Sequence, residues 1–283
     1  MTHVITPDGT RIAFELTGDP SGKPLLLING LGAQLVGWRP SLRRKLAKLG
    51  YAVYAIDNRD IGGSQVFPET DYTITDMAFD CIGFLEALGI EAAHIVGQSM
   101  GGMIAQEIAI ESPGKVASLS LLYTSPEHGT FSIGSDIRKK RDSIPTPTTR
   151  EQAVAQQLVN EQGCASEAYK QDKEFIAEVG GLMFDRGLSA DGIRRQREAM
   201  ARSRSRTALL ESIKAPTLVV HGKSDKLLDW HGSVEISERI LDSDLVLFSG
   251  LGHEIHSDVE DLFVHLIDRT ASKVVQPQVA VAV

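Results

Sequence analysis

The stretch His94-Ile95-Val96-Gly97-Gln98-Ser99-Met100-Gly101 decides how this chain reads. A short apolar run ends at Gly97 and a helical pattern begins at Met100 and continues to Ile110, so a G-x-S-x-G motif lies between a strand and a helix. In that context the serine rides a sharp turn whose small neighbours let its hydroxyl project from the carboxyl edge of the sheet. The helix N-terminus behind it offers backbone N–H donors and a partial positive charge to a developing oxyanion. Other glycine-rich motifs fail here: no G-K-[ST] follows the glycines, and no G-x-G-x-x-G is present. By itself the pattern also fits a tight turn carrying a surface serine.

A serine hydroxyl is a poor nucleophile unless a base takes its proton and an acid orients that base. The order expected behind such an elbow is serine, acid, histidine. The strand Pro216–Val220 runs into His221-Gly222-Lys223-Ser224-Asp225, and the strand Leu245–Phe248 runs into Ser249-Gly250-Leu251-Gly252-His253. Asp225 and His253 therefore occupy loops at the carboxyl ends of two late strands. His256 competes with His253, and Asp229 and Glu127 compete with Asp225. The glycines before His253 favour it, because they form the loop that swings an imidazole over the sheet edge. His3, His94, His231 and His265 carry no motif and read as structural or exposed. His253-Glu254-Ile255-His256 lacks the H-E-x-x-H spacing of a zinc site, and no metal or cofactor is expected. A second oxyanion donor is needed from the loop after the third strand, here Asn29-Gly30-Leu31-Gly32. The backbone N–H groups of Leu31 and Met100 are the expected pair.

Working outward, strand and helix patterns alternate. Val4-Ile5 and Arg11–Leu16 form a hairpin about Pro7-Asp8-Gly9. Pro24–Ile28, Tyr51–Ile56, His94–Val96, Val116–Tyr123, Pro216–Val220 and Leu245–Phe248 read as further strands. Thr75–Leu88, Met100–Ile110, Ser233–Leu241 and Val259–Arg269 read as helices. This predicts an α/β protein with a mostly parallel sheet of about eight strands and helices on both faces. Residues 126–212 break the rhythm, with helix and loop signals but no persuasive strand. They are expected to form a helical cap between core segments 1–125 and 213–270, followed by a tail, 271–283, without fixed structure.

The 283 residues carry 29 Lys+Arg against 37 Asp+Glu, a net charge of −8, which argues against a nucleic-acid binder. Arg194, Arg195, Arg197, Arg202, Arg204 and Arg206 form the one basic cluster, expected to be a solvated helix face. The two cysteines, Cys81 and Cys164, make no C-x-x-C pair. Neither a signal peptide nor a membrane-length apolar run is seen, so a cytoplasmic location is the default expectation.

With these residues in hand, the chain resembles the α/β-hydrolase superfamily over essentially all of its ordered length. The likeness rests on Asn29-Gly30-Leu31-Gly32, on Asp57-Asn58-Arg59-Asp60-Ile61-Gly62-Gly63-Ser64, on the elbow, and on the loops ending at Asp225 and His253. The family usually has His where this chain has Asn29, which leaves open how the oxyanion loop is braced. Trp38, the Asn58–Gly62 string and Ser99-Met100-Gly101-Gly102 are similar to aclacinomycin methylesterase and its relatives. The resemblance implies a cofactor-independent serine hydrolase that cleaves a small, largely apolar carboxylic ester through an acyl-enzyme on Ser99. Aspartate-nucleophile chemistries of the same fold, dehalogenation and epoxide hydrolysis, are disfavoured by the serine. The same triad would also serve carbon–carbon bond hydrolysis or perhydrolysis, and a non-catalytic ligand receptor is a further alternative. Trp38, Met100, Tyr123, Phe131, Leu182, Met183 and Phe184 are the expected pocket residues, and a homodimer is compatible with the sequence.

Overall fold

The computed structural model describes residues 2–69 and 71–274. The expected tail, 271–283, is corrected at its start, where Ala271 closes a helix and Lys273 pairs with Asp242 and Asp244; beyond Val274 it lies outside the described residues. Eight strands form one sheet: β1 (Thr2–Ile5), β2 (Arg11–Thr17), β3 (Lys23–Ile28), β4 (Tyr51–Ile56), β5 (Ala93–Gln98), β6 (Val116–Leu122), β7 (Thr217–Gly222) and β8 (Ser243–Phe248). Their spatial order is β1-β2-β4-β3-β5-β6-β7-β8. β1 and β4 pair antiparallel with β2, and every other pairing is parallel.

Central strands read as unbroken apolar runs because both of their faces are covered. Within β3, Leu26 and Ile28 enter one core with α2 (Ile74–Ala87), α3 (Met100–Glu111) and α8 (His231–Arg239). Leu25 and Leu27 point the other way, into a second core with α1 (Pro40–Lys48) and α9 (Glu260–Ala271). Sequence patterning missed α1, whose buried anchors are only Leu42 and Leu46 among mostly polar neighbours. α2 is framed by a Thr73–Asp76 capping box and by Gly89 at φ 68°.

Because β4 and β5 flank β3 on opposite sides, chain order reverses there. That leaves a crevice at the carboxyl ends of the strands, where open α/β sheets bind ligands. Four helices lie between β6 and β7: α4 (Ser135–Asp142), α5 (Arg150–Gln162), α6 (Lys173–Arg186) and α7 (Ala190–Arg202). Thr149, Asp172 and Ser189 cap the last three, each side chain accepting from a first-turn N–H. Among the described residues no helix is long and apolar enough to cross a membrane.

The basic cluster corrects its expectation. Arg194 and Arg202 do face outward, both pairing with Glu198. Arg195, however, clamps the buried Asp60 with two 2.8 Å hydrogen bonds. Arg204 pairs with buried Glu107 at 2.7 Å, and Arg206 is itself fully buried beside Gln106 and Glu107. The reason is placement: α7 and its exit pack on the sheet domain, so one side of the run meets acids there.

Candidate active site

Ser99 sits at φ 55°, ψ −120°, a region non-glycine residues rarely visit. The turn is over-determined by its surroundings. Ser99 N–H donates to the Leu122 carbonyl at 3.0 Å, and the Thr124 hydroxyl donates to the Ser99 carbonyl at 2.7 Å. A methyl group on Gly97 would overlap the Gly101 carbonyl, and one on Gly101 would overlap the Ile28 carbonyl. Both motif glycines are thus demanded by strand–helix crowding rather than by flexibility.

Asp225 lies three residues past β7 with its carboxylate fully saturated. Its Oδ1 accepts from the N–H groups of Leu227 (2.7 Å) and Leu228 (3.0 Å). Its Oδ2 pairs with His253 Nδ1 at 2.6 Å and with His221 Nε2 at 3.0 Å. Burial alone would raise this carboxyl, but the His253 charge and the hydrogen bonds from His221 and His253 outweigh it. They hold the group well below the usual carboxylate range. His221 in turn meets the Ser233 hydroxyl at 2.7 Å, so both of its ring nitrogens are engaged within the core.

The rivals are spent elsewhere. His256 Nε2 bonds the Lys170 carbonyl at 2.9 Å and its Nδ1 accepts from Asp258 N–H, so it caps a short helical turn. Asp229 pairs with the exposed His231, and Glu127 accepts from Thr130.

The Asn29–Gly32 loop abuts Ser99: a methyl group on Gly30 would lie 3.1 Å from Ser99 Cβ. Leu31 and Met100 border the same cavity as Ser99 and His253, a space of about 420 Å³. Asn29 does brace this loop without the family's histidine. Its Nδ2 donates to the Gln34 carbonyl at 2.7 Å, while its Oδ1 accepts from Gln98, whose own carbonyl oxygen accepts from the Tyr123 hydroxyl. Tyr123, at φ 36°, also places its ring 4.7 Å from the His253 ring.

Of the expected pocket residues, Trp38, Met100, Tyr123 and Met183 line the cavity. Phe131, Leu182 and Phe184 do not. On α6 the buried face is Ile176, Val179, Gly180 and Met183, so Leu182 and Phe184 fall off it. Phe131 folds back on α8, where its ring would meet a Cβ placed on Gly232 at 3.0 Å.

The sequence reading passed over contacts made by residues 126–212. The Cys164 carbonyl accepts from His253 N–H at 2.9 Å, Ser166 Oγ accepts from Gly252 N–H, and the N–H groups of Glu167 and Ala168 donate to the Gly250 carbonyl. Arg186 pairs with Asp57 and donates to Gln34 at 2.8 Å. The Asp57–Ser64 motif is itself structural: Asp57 accepts from Leu35 and Gly63 N–H groups, and Ser64 ties β2 to this loop. No short-range pattern announces such long-range pairings. His221, in contrast, was legible as part of H-G-K-S-D.

Residues 23–142 match the family model described as alpha/beta hydrolase fold. Over 248 residues the chain is 29% identical to RutD of Variovorax paradoxus (strain S110), a protein named for carbamate hydrolysis, covering 87% of this chain and 90% of the relative. It is 26% identical over 280 residues to rhodomycin D methylesterase DauP of Streptomyces sp. (strain C5), covering 90% and 92%. Among solved structures, the esterase RhEst1 from Rhodococcus sp. ECU1013 superposes with a TM-score of 0.78 at 22% identity, covering 97% of this chain and 99% of that one. Sheet order and these likenesses together give the chain the α/β-hydrolase fold, and its sequence resembles the methylesterases among these relatives.

Proposed function

We propose that the protein is a cofactor-independent serine hydrolase that cleaves a small carboxylic ester through an acyl-enzyme on Ser99. The observation that carries this reading is the 2.6 Å pairing of buried Asp225 with His253, whose ring lines the same cavity as Ser99 on its strained elbow. His253, held in its tautomer by Asp225, takes the Ser99 proton as the oxygen attacks the ester carbonyl. The resulting oxyanion is met by the N–H groups of Leu31 and Met100, neither of which has a protein acceptor among the described residues. His253 then protonates the departing alkoxide, and water admitted to the same site releases the acid. Residues 126–212 act as the cap. Their Ile176, Val179 and Met183 supply an apolar wall, while Gln156, Gln157 and Asn160 of α5 give the cavity one polar side. A largely apolar ester with room for a hydrogen-bonding group suits such a space.

The test is a fluorophosphonate probe read by intact mass, with turnover measured on a panel of methyl esters, carbamates and vinylogous diketones. One adduct on Ser99 is expected, with esters the best substrates. Ser99→Ala should lose turnover by about 10⁴- to 10⁶-fold. Equal activity in Ser99→Ala, or no labelling of the folded protein, overturns the assignment.

A further inference from the structure

We propose that Gln196, a residue of the helical insertion, is a positioning residue for the oxyanion hole. The proposal rests on the reading of Ser99 as nucleophile and of the Leu31 N–H as a donor. An oxyanion donor works only if it is aimed before the charge develops. Leu31 is poorly suited to hold its own aim, because it lies between Gly30 and Gly32, the latter at φ 72°. Upstream, the loop is pinned by Asn58, which donates to the Asn29 carbonyl at 3.0 Å, and by Asn29 itself. Downstream, the grip comes from across the molecule. The Gly32 N–H, which belongs to the peptide plane leaving Leu31, donates to Gln196 Oε1 at 2.9 Å.

Gln196 is fully buried, and its other end is also committed: Nε2 donates to the Arg59 carbonyl at 2.8 Å. One primary amide thus joins the oxyanion loop to the Asp57–Ser64 loop, and its orientation is dictated at both ends, acceptor toward Gly32 and donor toward Arg59. The neighbours on α7 hold it there. Arg195 clamps Asp60, and Ile193 packs over Gly32, where a methyl group would lie 2.9 Å from Ile193 Cγ1. A position needed only for packing would be filled as well by Met or Leu, whereas a buried amide is costly unless both halves are hydrogen-bonded. The insertion therefore does more than roof the cavity: it sets one of the two donors of the site.

The test compares Gln196→Ala, Gln196→Met and Gln196→Glu on the best ester of the panel. It reads kcat, KM, melting temperature and inhibition by a trifluoromethyl ketone, whose serine adduct places an anionic oxygen in the hole. Ala and Met should lower kcat by about 10- to 100-fold with KM within about threefold, and weaken the ketone in parallel. Glu, which keeps an acceptor for Gly32, should recover part of that loss. Should the alanine variant fail to fold, the methionine variant of similar volume carries the comparison. Unchanged kcat in folded variants, a rise in KM with kcat retained, or Glu no better than Met overturns the proposal. If Ser99→Ala is inactive while the Gln196 variants are unaffected, this inference falls alone; if Ser99→Ala stays active, the underlying reading falls first.

Discussion

The carboxyl edge of the sheet and the helical insertion above it reach the same cavity by different routes. Ser99, Asp225 and His253 each stand within a few residues of the end of a strand, so local chain geometry delivers them. The insertion acts through single contacts scattered over its length: the Cys164 carbonyl on His253, Ser166 on Gly252, Arg195 on Asp60 and Gln196 on Gly32. The last of these joins residues 164 apart in sequence. The contrast teaches that the three candidate catalytic groups stand at the sheet edge while the loops around them are held from outside it. Two loops that border the cavity with Ser99, the one bearing Leu31 and the one bearing His253, are gripped by residues 126–212.

That contrast can be broken at several points. The largest effect is expected at the sheet edge. Asp225→Asn should lower kcat by about 10³- to 10⁴-fold, because an amide facing His253 favours the wrong tautomer. The same variant sharpens the electrostatics. The carboxyl is held below its ordinary value of 3.8, so its contribution to stability is complete above that value and is lost as pH falls through the lower, folded one. Asp225→Asn should flatten that acid limb in urea titrations run at successive pH values.

A smaller but general effect is expected where the two regions are bolted together. Arg195→Ala strands the buried Asp60 and should cost about 2–4 kcal/mol in chemical denaturation. Catalysis at saturating substrate should fall with it, since α7 carries Gln196. Full stability in this variant would mean that the insertion is held by other contacts. The smallest effect separates wall from bystander. Met183→Ala should change KM or substrate preference by a few-fold to about tenfold, whereas Phe131→Ala should leave both within about twofold. Equal responses would show that the loop around Phe131 moves into the cavity during turnover.

Legibility followed the same division. β3 and β4 were plain as apolar runs because burial on both faces removes any need for alternation. The elbow was plain because Gly97 and Gly101 are imposed by contacts within a few residues and with the adjacent strand. α1 escaped notice because only Leu42 and Leu46 are anchored in the core, too sparse a pattern to stand out from its basic neighbours. Phe131 and Phe184 looked like pocket residues from their aromatic character, but helix phase and a folded-back loop turned them away. The arginine run suggested a solvated face because charge alone does not reveal that Asp60 and Glu107 lie buried opposite it.

By itself, then, the order of residues determined the alternation of strands and helices, the turn that carries Ser99 and the strand-end positions of Asp225 and His253. These follow from periodicity and from steric limits that act over one turn or one strand. Only the tertiary structure decided that Asn29 braces the Asn29–Gly32 loop, that Asp225 is shared by His221 and His253, and that Gln196 reaches Gly32. Each of these is a hydrogen bond between groups brought together by sheet order and helix packing. Such pairings depend on where two distant backbones meet, and no local pattern in either segment encodes that meeting.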